Sequence, residues 1–196
     1  MLKKILVIIL LIGGISLIVF FIGSAYLFGA FDKGYNEKEL ISHYENNKEQ
    51  FSELLKYFNS IVPNDKEIEI EFENNKKLFR FGVVSIDTLL KNKCPMYLKW
   101  DLNIDKDIPS EILSSIKWDG NTFSSLKSKL DEAGCIQIGS GNPVEIGFQR
   151  SGMGMYSYYF YKEDSSNDFL NQQKKRNDIH FFDKRIAWKY DGGALD

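Results

Sequence analysis

The chain has 196 residues, 43% of them apolar and 27% charged, and a formal net charge of −2 at pH 7. Without a basic excess there is no electrostatic case for binding nucleic acid, so no nucleic-acid partner is expected. The chemical inventory is thin: two histidines, two cysteines, and no nucleophile elbow, zinc-protease helix or paired-histidine spacing. Acyl transfer and metal hydrolysis therefore have no support in the sequence, and no metal or cofactor is expected.

Lys3 and Lys4 precede a run from Ile5 to Phe31 that carries no charged side chain. As a helix rising 1.5 Å per residue, such a run reaches roughly 40 Å, which exceeds the hydrocarbon thickness of a bilayer and fits a tilted single pass. The alternative is a cleaved signal peptide, whose apolar region is normally about 7–15 residues long. Gly23 and Ala25 would suit a cut, yet the apolar run continues through Tyr26, Leu27 and Phe28. The sequence thus predicts an N-terminal transmembrane helix within residues 1–31, meeting the lipid bilayer through residues 5–31. The first cysteine is Cys94, so lipid attachment at a new N-terminal cysteine is excluded. The short basic end is expected in the cytoplasm and the C-terminal part outside it, an assignment that rests on the Lys3 and Lys4 end being only four residues long.

Residues 32–196 suit one domain with one core. From Tyr35 to Val62 the apolar positions Leu40, Tyr44, Phe51, Leu54, Leu55, Phe58 and Ile61 recur at helical spacing, which predicts one long amphipathic helix. Asn36 with Glu39 caps its start and Pro63 closes it. His43 falls on the polar flank and is expected to be solvated. Between Glu67 and Glu73 the period becomes two, with Ile68, Ile70 and Phe72 alternating with glutamates, and a second strand follows from Leu78 to Ile86 after the Asn74–Asn75 turn. The four glutamates are expected to form a solvated face.

Asp101 to Asp107 supplies alternate oxygen ligands like a calcium loop. However, Lys106 stands where the turn needs glycine and Ile112 where a bidentate glutamate belongs, so no metal is expected there. A strand with Leu98, Trp100, Leu102 and Ile104 pointing inward accounts for the same letters. Pro109 opens a short helix, and a second is capped by Asn121 or Thr122, striped by Phe123, Leu126, Leu130 and Ala133, and ended by Gly134. Extended segments at 135–138, 144–149, 156–162 and 184–190 are separated by glycine-containing turns and by a polar stretch over 163–178. The expected fold is α+β, with helices on one face of a mostly antiparallel sheet. Only Asp32 to Tyr35 is left as a linker, which places the domain close to the bilayer.

The fragments GAFDKGY after the anchor, IEFENNKKLFRFGV in the hairpin, IGFQRSGMGMYSYYFY and the terminal YDGGALD resemble a group of small membrane-anchored bacterial proteins without an assigned activity. The resemblance implies an anchor plus an α+β domain in the cell envelope. It implies no catalytic residues.

Two segments are candidates for binding. In Gly147 to Met155, glycines beside Arg150 allow backbone amides to turn toward an anion, with a plain hairpin turn as the alternative. In Tyr156 to Tyr161, aromatics occupy both strand faces, and Tyr159 with Tyr161 would suit contact with an envelope glycan or protein if their face is open. Cys94 and Cys135 are expected to form a disulfide, as two cysteines in an exported domain would. A non-catalytic interaction domain is the expected function. The rival is a tethered enzyme, for which a pocket of convergent acids, or an acid beside Arg150, would speak; a third reading is a membrane protein that neutralises or stabilises one partner.

Overall fold

The computed structural model describes residues 2–27, 32–87, 92–164, 166, 169, 170, 172 and 179–192. Most of the polar stretch expected over 163–178, and the end of the expected anchor at 28–31, lie outside them. Among the described residues there are five helices, α1 (Leu2–Leu27), α2 (Glu37–Asn46), α3 (Lys48–Ile61), α4 (Ser110–Ile116) and α5 (Gly120–Glu132). The strands are β1 (Lys66–Phe72), β2 (Lys77–Asp87), β3 (Asn92–Asn103), β4 (Gln137–Gly139), β5 (Val144–Ser151), β6 (Gly154–Phe160), β7 (Ile179–Phe181) and β8 (Ile186–Asp191). They form one sheet in the order β3-β2-β1-β4-β5-β6-β8-β7, and every pairing is antiparallel. The α+β expectation holds.

The core follows from strand alternation. Ile68, Ile70 and Phe72 of β1, Phe81 and Val83 of β2, Ile138, Ile146, Tyr158 and Trp188 are buried together with Leu40 of α2, Phe51, Leu54 and Phe58 of α3, and Phe123, Leu126 and Leu130 of α5. Because side chains alternate across a strand, Glu67, Glu69 and Glu71 must then point to the other face. Helices cover one side of the sheet, and among the described residues no helix packs on the second side.

The long helix expected over residues 35–62 is two helices. Asn47 leaves helical geometry at φ −121°, ψ 21°, and its Nδ2 donates to the carbonyl of His43 at 2.8 Å, closing α2 so that α3 starts on a new axis. The α2 cap is the expected box, with the Glu39 amide donating to Asn36 Oδ1 at 3.1 Å and the Asn36 amide to Glu39 Oε2 at 3.0 Å. For α5 the cap moves to Asp119, whose Oδ1 accepts the Thr122 amide at 2.8 Å. An acid two or three residues earlier serves the same purpose as Asn121 or Thr122, and with a full charge.

Strand β3 corrects the expected facing. Tyr97 is buried, whereas Leu98 and Trp100 are 50% and 51% exposed. Asp101 then takes a left-handed backbone, φ 55°, which returns Leu102 to the core. Counting parity back from Leu102 through that residue puts the apolar pair on the wrong side. His43 is half-buried, not fully solvated: its ring lies 4.2 Å from that of Phe148, and its Nδ1 is 3.0 Å from the Tyr158 hydroxyl. Burial holds its pKa below the ordinary histidine value, only partly opposed by a hydrogen bond to the Ala133 backbone.

The expected disulfide is not formed, and both thiols are free. Cys94 lies exposed on β3, while Cys135 leads into β4, with β2 and β1 between these strands. Three inter-strand steps amount to about 14 Å, twice the Cα separation of about 7 Å that a bridge tolerates. Burial pushes the Cys135 thiol pKa up, which keeps it protonated and inert.

Helix α1 stands apart. Its described side chains run from Gly13 to Ala25, and Ile15, Leu17, Ile18, Val19, Phe20, Phe21 and Ile22 are all exposed. Apart from the helix's own adjacent backbone, nothing described comes within 4 Å of a Cβ built on Gly13, Gly14 or Gly23. Counted over the described residues, no helix is long and apolar enough to cross a membrane; the last residues of the anchor expected over 5–31 lie outside them.

Gly134 ends α5 at φ 64°, and a Cβ there would sit 2.8 Å from His43 Nε2. Gly134→Ala is expected to destabilise the domain by about 2 kcal/mol, from left-handed strain plus displacement of the imidazole. Urea unfolding of this variant alone and combined with His43→Ala checks it: the steric part should vanish in the pair and the strain should remain.

Candidate functional site

The open face of the sheet carries the candidate site. Two cross-strand rows build it. The first runs Leu98, Gly82, Glu69, Gly139, Glu145, Tyr159 through successive strand pairs, and the second, next to it, runs Trp100, Arg80, Glu71, Gln137, Gly147, Ser157. Glycines at 82 and 139 leave the first row without side chains at two places, so a hollow of about 410 Å³ opens over them. Leu98, Pro95 and Val84 line one side, Tyr159, Glu145 and Pro143 the other, and Glu69 rises in the middle. A Cβ on Gly139 would come 3.6 Å from Glu69 Cγ and 4.0 Å from Glu145 Cβ, so any larger residue there would take up space between the two acids.

The second row is a charged lattice. Arg150 grips Glu71 with two hydrogen bonds, Nε to Oε1 at 2.6 Å and Nη2 to Oε2 at 2.7 Å, and its guanidinium lies 4.2 Å over the Phe79 ring. Glu71 is only 2% exposed, and a fork of parallel donors is the geometry that stabilises a desolvated carboxylate. Arg80 pairs with Glu69, which also accepts from Gln137 Nε2 at 2.8 Å. Burial lowers the Arg80 pKa, countered by the nearby Glu145, and Arg80 Nε is buried without a hydrogen-bond partner.

Glu145 has a different environment. Burial raises its pKa above the ordinary carboxyl value, with Asp191 adding repulsion, while the Ser157 hydroxyl, Arg80 and Tyr159 work against the rise. Ser157 Oγ donates to Glu145 Oε1 at 2.8 Å. The Tyr159 hydroxyl donates to Asp191 Oδ2 at 2.9 Å, and burial together with the two neighbouring carboxylates holds it in the phenol form. The site therefore combines a carboxylate fixed by an arginine, a carboxyl inclined to keep its proton, a phenol and an apolar wall. It can accept hydrogen bonds, donate them, and shelter a small apolar surface.

The sequence candidates divide. Arg150 and Tyr159 reach the same open face. Arg150, though, is engaged by Glu71 and is not free to hold an anion. Tyr161 lies beyond β6 and joins a separate aromatic cluster, 5.6 Å from the Phe181 ring and 6.0 Å from that of Phe169. The other strand face, Tyr156, Tyr158 and Phe160, packs under the helices. Glu69, Glu71, Glu145, Arg80 and Leu98 were missed as site residues. The alternation of the β1 glutamates with buried isoleucines was the available signal, since it marks a face but not the strands that lie beside it. Among the described residues, no group of three or more histidine, cysteine or acidic side chains is arranged to hold a metal ion. Neither family models, nor characterised proteins, nor solved structures give a match to this chain.

Removing Arg150 leaves the buried Glu71 carboxyl without its partner. Arg150→Ala is expected to cost roughly 2–3 kcal/mol, below the usual loss for breaking a buried pair because the Arg150 side chain is itself partly exposed. A fall of about 5–10 °C in the thermal midpoint would report it. Arg150→Ala paired with Glu71→Gln should recover part of the loss.

For Glu145 the folded pKa lies above the unfolded one. Its protonated form therefore contributes stability below the ordinary carboxyl range, and this is lost as pH rises through the folded value. Glu145→Gln should be more stable than the parent at pH 7 and lose that advantage near pH 4, a trend read from urea midpoints across the interval.

Proposed function

We propose that the chain is a single-pass membrane protein of the bacterial cell envelope, in which residues 32–196 form one extracytoplasmic, non-catalytic interaction domain. The membrane part is supported by the chain itself. The uncharged run of residues 5–31 overlaps α1, a 26-residue helix, and a helix apolar on all sides requires an apolar surrounding. The folded domain does not provide one, because the described apolar side chains of α1 are bare. Hydrocarbon provides it at the right length. The two leading lysines support a cytoplasmic N-terminus, and the fragment resemblance supports the envelope.

The observation that carries the interaction role is the open sheet face. Its hollow has an apolar wall at Leu98, Pro95 and Val84 and a polar floor in which most charges are already matched by a neighbour. A surface with satisfied charges beside exposed apolar side chains suits a partner protein or a glycan. One observation favours a second reading, a tethered enzyme: burial raises the Glu145 pKa while Glu69 is paired with Arg80, and two carboxyls with opposed environments are what acid–base chemistry uses.

A photo-crosslinking residue placed at Leu98 in native membranes is expected to give a discrete adduct that is absent when the same residue replaces Lys56 on the helix side. The adduct should weaken at least fivefold in a Tyr159→Ala background. No adduct at Leu98 would remove the interaction reading; turnover of an envelope glycan abolished by both Glu145→Gln and Glu69→Gln would establish the enzyme. For orientation, a reporter active only in the cytoplasm and fused after Asp196 should be silent.

A further inference from the structure

The short segment between anchor and domain is fastened down. The Gly152 amide, at the turn between β5 and β6, donates to Asp32 Oδ2 at 2.7 Å. The Tyr35 amide donates to the Tyr156 hydroxyl at 3.2 Å, and the Tyr35 ring packs edge-on against Phe148 and Tyr156, with centroids 4.9 and 5.4 Å away. Asp32 is also the first charged residue after the uncharged run that ends at Phe31. In a membrane-spanning chain, the first carboxylate after such a run sits at headgroup level, because charge resists entry into hydrocarbon. Only five residue steps separate Leu27 from Asp32, a reach of about 18 Å at full extension. The turn held by Asp32 is therefore limited to that distance from the end of α1.

The residue beyond Gly152 is Met153, 45% exposed at the tip of the turn. Beside it stands Tyr190, 39% exposed, its hydroxyl donating to the Ser151 carbonyl at 2.8 Å and its ring 4.7 Å from that of Tyr156. Lys33 extends over the Tyr35 ring at 4.5 Å. An apolar tip flanked by tyrosines and a lysine is the composition that membrane–water interfaces favour.

We infer that the β5–β6 turn is a second bilayer contact, with Met153 seated in the headgroup layer and Tyr190 at its edge, so that the domain is held to the lipid surface at two places. This rests on the anchor reading above, and the occupant it names is the lipid surface, not a protein.

The test uses the full chain in equimolar phosphatidylethanolamine and phosphatidylglycerol vesicles. In a Cys94→Ser background, which removes the exposed native thiol, a fluorophore is attached at Met153→Cys, at Asn64→Cys on the far end of the sheet, or at Phe21→Cys in α1. Lipids spin-labelled at the headgroup or deep in the acyl chain serve as quenchers. Headgroup label is expected to quench position 153 at least threefold more than position 64, and deep label to quench position 21. Quenching at 21 with positions 153 and 64 alike would overturn the turn contact and leave the anchor intact. No quenching at 21 would instead remove the anchor reading itself. Asp32→Ala with Tyr35→Ala, which opens the fastening and removes one partly buried ring from the edge of the core, should lower quenching at 153 at least twofold and leave that at 21 unchanged; an unchanged value at 153 would also overturn the inference.

Discussion

Alternate residues of β1 are buried under α3 and α5, and this single alternation dictates the character of both sides of the sheet. With Ile68, Ile70 and Phe72 packed inward, Glu67, Glu69 and Glu71 are committed to the opposite face, and antiparallel pairing fixes their neighbours on β2 and β4. β1 lies near the middle of the sheet, so these carboxylates cannot all turn to water from an edge. Arg80 and Arg150 meet two of them, and Gln137 meets one a second time. The open side is consequently a polar lattice with its own internal partners, and the hollow exists only where glycine replaces a lattice member.

That origin bears on function. Carboxylates locked to arginines are poor nucleophiles and poor metal ligands, because each would first have to leave a favourable partner. Glu145 is the exception: it is the acid of the row whose environment favours the neutral form, and it lies beside apolar surface. If a ligand enters the hollow, the Glu145 carboxyl and the Tyr159 oxygen are the polar groups it meets, the Tyr159 proton being already given to Asp191, and Leu98 is the group that can shed water. A ligand with hydroxyl groups and an apolar edge fits that combination better than a small ion.

Much of the fold could be read from the letters because most elements are marked at both ends. The Asn36–Glu39 box, Pro63, Pro109 and Gly134 punctuate helices in ways that do not depend on distant contacts. The errors share a cause. Asn47 breaks a continuous apolar stripe through one side-chain hydrogen bond, and Asp101 inverts strand parity through one backbone angle; neither changes composition or spacing. The disulfide failed for another reason, since cysteine parity carries no information about strand order, and β1 and β2 intervene. The site was legible only in part: the face of β1 showed, but which residues lie across from it depends on β4 entering the sheet beside β1 after two intervening helices, a long-range event without a local signal. Tyr161 shares a strand with Tyr159 in the sequence yet belongs to another cluster, because β6 ends between them.

The fastening of residues 32–35 to the β5–β6 turn also sets a height. Glu145 is six strand residues along β5 from Ser151, about 20 Å at the rise of an extended chain. On the proposal that the turn meets the lipid surface, the hollow would be carried at up to that elevation on a stiff post, not swung through a sphere by a flexible leash. Such a post restricts the volume searched to a thin shell above the bilayer. It favours targets that are themselves fixed at that level, such as neighbouring membrane proteins or surface-attached polymers, over anything dissolved farther out.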